Sequence, residues 1–293
     1  MTEQLKGTGV ALVTPFNKDL SIDWEAFERL LLHTSENVDY FVVHGTTGEP
    51  STTTAKEKED ILNFIKKYNH KNLPLVYGLG GNNTHEIVAQ LQTLDLSGIS
   101  AILSVSPYYN KPSQEGIFRH YSLIADNSPV PVILYNVPGR TSSNLTAQTT
   151  LRLAAHDNII GIKEASANFE QCLEIARNKP KDFLLISGDD LFTLPLLTIG
   201  AVGVISVLAN AIPAVFKEMI EGAVNSDLQR AREAAFRTLA INPLMYQESN
   251  PVGIKTFLNE LGICGPWVRL PLVEASAELR EAISTIINKE HHF

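Results

Sequence analysis

The sequence predicts an α/β fold, a (β/α)8 TIM barrel with a C-terminal helical extension. Three observations carry that prediction. Short apolar runs recur along the first two-thirds of the 293-residue chain, segments of helical periodicity separate them, and the strand signal stops after about Asn225. Residues 1–224 are expected to form the barrel with the active site, and residues 225–293 the helical region.

The strand candidates are Gly9-Val-Ala-Leu-Val13, Tyr40-Phe-Val-Val43, Leu75-Val-Tyr77, Ala101-Ile-Leu-Ser-Val105, Val132-Ile-Leu-Tyr135, Ile159-Ile-Gly-Ile162, Phe183-Leu-Leu-Ile186 and Val202-Gly-Val-Ile205. They are unbroken apolar runs rather than alternating ones, as parallel strands covered on both faces require. Between them, Asp23 can cap a helix that turns Phe27, Leu30 and Leu31 to one side. Thr54-Ala-Lys-Glu57 is a capping-box pattern ahead of Ile61, Leu62 and Ile65. Further starts fall near Thr84, Ser113, Thr146 and Asn168. Strand and helix alternating eight times over about 220 residues favours a closed barrel. An open doubly wound sheet is the alternative, but no Gly-x-Gly-x-x-Gly follows the first strand. Beyond the barrel, Leu228–Tyr246, Pro251–Leu261 and Ala275–Ile287 read as helices.

Composition narrows the function. The chain is 44% hydrophobic and 19% charged, with 24 Lys plus Arg against 32 Asp plus Glu and a net charge of −8. Such a chain has no global attraction for nucleic acid or an anionic membrane, although a local basic pocket can still bind an anion. The uncharged stretch between Asp190 and Lys217 is long enough to span a bilayer. Pro195, Gly200, Gly203, Asn210 and Pro213 interrupt it, and a helix, a buried strand (Ala201–Val207) and a second helix fit better. Two cysteines, Cys172 and Cys264, cannot build a disulfide framework, so a cytoplasmic address is expected. Residues Met1–Lys6 lack a basic patch leading into an apolar run, so no secretory signal is expected.

In such a barrel, chemistry sits where strands run into the following loops. The unusual residues fall there. Lys163 ends an apolar strand on the face of Ile159 and Gly161. If that face is the interior, the amine is desolvated, its pKa falls and a neutral nucleophile becomes available. The competing reading is a lysine paired with a buried carboxylate or snorkelling to solvent. Tyr135 ends the adjacent strand and is either a proton shuttle beside the amine or a packed aromatic. Arg140, past the Pro138-Gly139 turn, can hold a carboxylate or meet solvent or an acidic neighbour. Gly45-Thr46-Thr47-Gly48 offers backbone N–H groups and hydroxyls ahead of a helix, an arrangement suited to an anion but also to a plain turn. Tyr108 and Tyr109 lie on a stiff loop and serve a site, an interface or packing.

Metal chemistry finds little support. His44 has no partner at metal-ligand spacing, and Asp189-Asp190 reads as a cap for the next helix before it reads as a cation site. His291-His292 reads as a frayed terminus. No Gly-x-Ser-x-Gly, Walker loop or zinc cysteine cluster is present.

Taken as a set, five motifs carry a family resemblance: Gly45-Thr-Thr-Gly-Glu49, Pro107-Tyr-Tyr-Asn-Lys-Pro112, Tyr135-Asn-Val-Pro-Gly-Arg-Thr141, Gly161-Ile-Lys-Glu-Ala165 and Ser187-Gly-Asp-Asp190. In their order and spacing the chain resembles the pyruvate-dependent class I aldolases of the N-acetylneuraminate lyase family. The resemblance runs from Gly9-Val-Ala-Leu-Val-Thr-Pro-Phe16 through the C-terminal helices. It implies a lyase in which Lys163 forms a Schiff base with pyruvate, with no cofactor beyond that covalent imine and no metal. It further implies that Tyr135 shuttles protons, that Thr47 links Tyr135 to Tyr109, and that Tyr109 reaches in from a neighbouring subunit of a homo-oligomer, dimer or tetramer. The Thr46 and Thr47 backbone would hold the pyruvate carboxylate. Arg140 would bind the carboxylate of the aldehyde, and Gly188 and Ile205 would line the site.

Within the family the chain most resembles the branch that joins pyruvate to L-aspartate 4-semialdehyde in the diaminopimelate route of lysine biosynthesis, and the resemblance implies that reaction. The rivals are an N-acetylneuraminate lyase or other sugar-acid aldolase, and a non-catalytic ligand-binding barrel. Arg140 and the Lys163-Glu-Ala run favour the first branch over sialic acid lyases. Lysine-inhibited relatives resemble this chain at Asn82, Glu86 and Tyr108, a possible allosteric site. They carry histidines where this chain has Ala55 and Lys58, and a cation at Lys58 would repel a lysine effector.

Overall fold

A computed structural model describes residues 2–289; the His291-His292 pair lies outside them. The chain order is β1 (Gly7–Ala11), α1 (Trp24–Ser35), β2 (Tyr40–Val43), α2 (Ala55–Tyr68), β3 (Leu75–Gly78), α3 (Thr84–Thr93), β4 (Ile99–Val105), α4 (Gln114–Asn127), β5 (Val132–Asn136), α5 (Pro138–Thr141) and α6 (Ala147–Leu153). It continues with β6 (Ile159–Glu164), α7 (Phe169–Asn178), β7 (Leu184–Ser187), α8 (Thr193–Thr198), β8 (Gly203–Ser206), α9 (Pro213–Val224), α10 (Leu228–Thr238), α11 (Asn242–Gln247), α12 (Val252–Glu260) and α13 (Ala277–Lys289). The strands form a closed barrel in sequence order, β1 to β8. The expected fold class is the observed one.

The residues group into two compact units, one built on Pro74–Ile205 with the segment up to Lys6, the other on Gly7–Leu73 with residues from Ser206 onward. In the first, β3 to β8 pair in parallel, neighbour with neighbour. All of β5 is buried, and Tyr121 of α4 is fully buried with its hydroxyl donating to the Ser104 carbonyl of β4 at 2.9 Å. Gly161 of β6 pairs with Leu184 of β7, and a Cβ there would stand 2.7 Å from the Leu184 carbonyl oxygen. Only glycine lets these two strands approach so closely.

In the second unit β1 pairs in parallel with β2, and Phe16, Phe27, Phe41, Phe216 and Phe257 are buried to 1% exposure or less. Truncating any of these rings to alanine would cost roughly 3–5 kcal/mol. The helix starts follow the sequence signals. Asp23 accepts from the Ala26 N–H at 2.9 Å, and Thr54 and Glu57 form the reciprocal capping box of α2. Ser113, Thr146 and Asn168 each cap their helix, whereas Asn83, one residue before the expected start, caps α3.

Three expectations are corrected. The single helix over Leu228–Tyr246 is two, α10 and α11, because Pro243 in the first turn of α11 lacks an N–H and its ring excludes a helical carbonyl four residues back. The Pro138-Gly139 turn is instead the first turn of α5, with proline where its missing N–H costs nothing. Asp189 does not cap α8: its carboxylate accepts from the Leu191 and Phe192 N–H groups in the preceding turn, and the cap position is Phe192. The uncharged stretch after Asp190 becomes α8, β8 and α9, and no helix among the described residues is long and apolar enough to cross a membrane.

Candidate active site

The site is assembled from strand ends. In the first unit β5 and β6 register Tyr135 against Lys163 and Asn136 against Glu164. Side chains alternate along a strand, so each strand sends one of these residues to each face. Glu164 meets Gln171 of α7 and Asn136 donates to Glu164, so both face the helical layer, and Lys163 and Tyr135 therefore face away from it. Lys163 is 5% and Tyr135 7% exposed, with the Lys163 Nζ 4.4 Å from the centroid of the Tyr135 ring. Among the described residues no carboxylate pairs with Lys163. Gly188, after β7, leaves room for the lysine stem: a Cβ there would lie 3.0 Å from Lys163 Cγ and Cε. Ile205 of β8 is buried at 1% exposure.

Two loops of the same unit follow β5 and β4. Arg140 is exposed on α5 and makes no ion pair among the described residues, so the acidic-neighbour reading of it fails. The Pro107–Pro112 loop holds Tyr109 at φ 71° and Lys111 at φ 42°, left-handed conformations costly for a side-chain-bearing residue. Tyr109 is 87% and Tyr108 40% exposed. Asn82 and Glu86 are exposed near the start of α3, with the Asn82 carbonyl accepting from the Asn110 amide at 3.4 Å.

The threonine pair belongs to the second unit. Thr46–Gly48 is a separate 3₁₀ turn, not the start of α2, which begins at Ala55 with its own cap. The anion-binding argument from a following helix terminus therefore falls, although backbone amides remain. Thr47 is 2% exposed, and its hydroxyl accepts from the Asn250 side-chain amide at 3.0 Å. Glu49 ends the turn in the left-handed region and meets the buried Lys255 Nζ at 2.5 Å and the Arg269 N–H at 3.0 Å. His44 is buried with Nε2 3.1 Å from the Lys58 carbonyl, and desolvation lowers its pKa to about 4. Among the described residues no cluster of His, Cys, Asp and Glu could hold a metal ion.

Several residues that hold the candidates in place carried no role in the sequence reading: in the first unit Asn136, Glu164, Asn144 and Gln171 behind the strand ends, and in the second Asn250 beside Thr47. A signal existed for two of them. Asn136 and Glu164 are polar residues on strands that are buried on both faces, so each needs a buried partner.

A buried amine against a phenol ring, at the ends of adjacent strands of a (β/α)8 barrel, defines a barrel of the class I aldolase type. Residues 4–290 match the Dihydrodipicolinate synthetase family, and the chain belongs to that family. It is 53% identical to the 4-hydroxy-tetrahydrodipicolinate synthase of Cytophaga hutchinsonii, covering 93% of this chain and 92% of that one. Its fold superposes on the dihydrodipicolinate synthase of Aquifex aeolicus with a TM-score of 0.93 at 36% identity, covering 98% of both chains. The enzyme of Cyanidioschyzon merolae with lysine bound also gives 0.93, at 35% identity over 99% of both.

Proposed function

We propose that this chain is a lyase that condenses pyruvate with L-aspartate 4-semialdehyde, the 4-hydroxy-tetrahydrodipicolinate synthase reaction. The observation that carries the reading is Lys163: a buried lysine with no carboxylate partner among the described residues, its amine lying on the Tyr135 ring. The Lys163 amine adds to the ketone carbon of pyruvate, and loss of water leaves an imine. Tyr135 moves the protons of this step and of the tautomerisation to an enamine. The enamine carbon attacks the aldehyde carbon of the second substrate, whose own amine then displaces Lys163, closing the ring and freeing the enzyme. In this reading the Thr46 and Thr47 backbone amides hold the pyruvate carboxylate and Arg140 holds that of the aldehyde. Gly188 and Ile205 line the site.

Tyr109 completes the proton path with Thr47 by entering the site of a second copy, which makes a homo-oligomer the working form. Its exposure on a strained loop supports that role. Two free, buried cysteines support a cytoplasmic address. Borohydride reduction with pyruvate tests the chemistry: a pyruvate-derived mass is expected on Lys163, and an adduct that survives in Lys163→Ala would end the proposal.

Asn82, Glu86 and Tyr108 are the proposed contacts of a lysine effector, with Lys58 a cation in place of the histidine of inhibited relatives. Weak or absent inhibition is expected. In a coupled assay with both substrates, half-maximal inhibition by lysine at or below about one millimolar would contradict it.

A further inference from the structure

Behind the Lys163–Tyr135 pair, on the helix side of the same strands, lies a buried polar network that among the described residues contains no cation. The Glu164 carboxylate accepts from Asn136 Nδ2 at 3.1 Å on each oxygen, from the Ser166 N–H at 2.7 Å and from Gln171 Nε2 at 2.9 Å. Every partner donates, so the arrangement is complementary to the ionised carboxylate. Burial raises the Glu164 pKa, and these hydrogen bonds work against that rise.

Asn136, fully buried, carries the network forward. Its Oδ1 accepts from the Leu145 N–H at 3.0 Å, and its Nδ2 donates to Asn144 Oδ1 at 2.9 Å. One side chain thus closes the base of the loop from Val137 to Asn144, which contains α5 and Arg140. Asn144 is held a second time, its Nδ2 donating to Gln171 Oε1 at 2.8 Å and its carbonyl accepting from Gln114 at 2.7 Å. Within the loop Thr141 Oγ1 donates to the Ser143 carbonyl at 2.8 Å, and the Ser143 hydroxyl donates to the Pro107 carbonyl at 3.3 Å. The chain of bonds therefore runs from the residue after Lys163 to both ends of the segment that presents Arg140.

We propose that Glu164 is a positioning residue for the aldehyde subsite: through Asn136 and Asn144 it fixes the loop that aims the Arg140 guanidinium. This rests on the reading of Arg140 as the group that binds the aldehyde's carboxylate. Arginine recognises a carboxylate by a directional fork, so a small tilt of its loop weakens binding sharply. Imine formation on Lys163 does not involve that loop, and the two half-reactions should separate.

The test compares Glu164→Gln, Asn144→Ala and Arg140→Ala in the full chain. Glu164→Gln keeps the shape of the side chain but turns an N–H donor toward groups that already donate. Asn144→Ala removes the loop end of the network at a half-buried position and guards against a Glu164 variant that fails to fold. In both, KM for aspartate semialdehyde is expected to rise roughly ten- to a hundredfold. Borohydride trapping of pyruvate on Lys163 should stay within about twofold of the wild type, and amide hydrogen exchange over residues 137–146 should quicken. A KM for the aldehyde unchanged in both variants, or trapping that falls in step with turnover, would overturn the proposal. Arg140→Ala separates the two failures: if it leaves that KM unchanged, the assignment of Arg140 itself is wrong.

Discussion

Lys163 and Lys255 are both buried, at 5% and 0% exposure, and they differ in what faces the amine. Lys255 meets Glu49 at 2.5 Å, donates to the Trp267 carbonyl at 2.8 Å and lies 4.1 Å from the centroid of the Phe16 ring. Burial lowers its pKa while Glu49 opposes the shift. Lys163 has an aromatic face and no counter-ion among the described residues. Opposite outcomes are therefore expected from the same substitution. Lys255→Met takes the ammonium from the buried Glu49 carboxylate and leaves it only the Arg269 N–H, which should cost about 3–5 kcal/mol. Lys163→Met replaces an unpaired amine by an apolar chain of similar length and should leave stability unchanged or raise it by ~1 kcal/mol, with pyruvate trapping abolished. Urea unfolding of the two variants measures both; a Lys163→Met protein as unstable as Lys255→Met would show that Lys163 also holds the fold together. The buried place of Lys163 was legible in the sequence because it ends an apolar strand, on the face of Ile159 and Gly161. The role of Lys255 was not, because the carboxylate that makes it structural stands 206 residues away.

At the scale of elements, what could be read was whatever depends on adjacent residues. The capping box of α2 needs only Thr54 to Glu57, and it forms as the spacing requires, with Glu57 accepting from the Thr54 N–H at 2.8 Å. The strand runs were likewise recognisable to within two residues at each end, since parallel strands buried on both faces must be apolar throughout. The second task of Glu57 was invisible: it pairs with Arg269 at 2.6 Å, across 212 residues. The Glu164–Asn136–Asn144–Gln171 network was hidden for the same reason. Asn136 and Glu164 signal only that each needs a buried partner, Asn144 and Gln171 read as ordinary polar residues, and it is the strand register that brings them together. Where local signals misled, proline decided. Pro243 breaks an apolar pattern that periodicity alone runs through, and Pro138 starts a helical turn where the Pro-Gly pair suggested a plain one.

For the molecule as a whole, the net charge of −8 says little about acid stability, which depends on groups whose protonation differs between the folded and unfolded states. His44 and His120 are buried at 4% and 5% exposure, and desolvation lowers the pKa of each to about 4 from 6.5. Between those values the unfolded chain holds a proton on each ring that the folded chain excludes, so stability falls as pH falls through that window. Each histidine can contribute up to about 1.4 kcal/mol per pH unit. Glu57, held down to about 2 chiefly by Arg269, acts lower: its contribution is intact above 4.5 and is lost as pH drops toward 2. Asp39 and Glu164 are raised by burial and act in the opposite sense, gaining stability as pH falls below their folded-state pKa, which offsets part of the loss. The contribution of one histidine is therefore best read as a difference between two proteins. His120 Nδ1 lies 2.9 Å from the Thr84 hydroxyl, and His120→Asn can keep that contact without a titrating ring. Urea unfolding between pH 6 and 5 should show the variant losing up to ~1.4 kcal/mol less per pH unit than the wild type. Parallel stability curves for the two proteins would mean that the buried imidazole takes up its proton within the folded protein near its ordinary pKa.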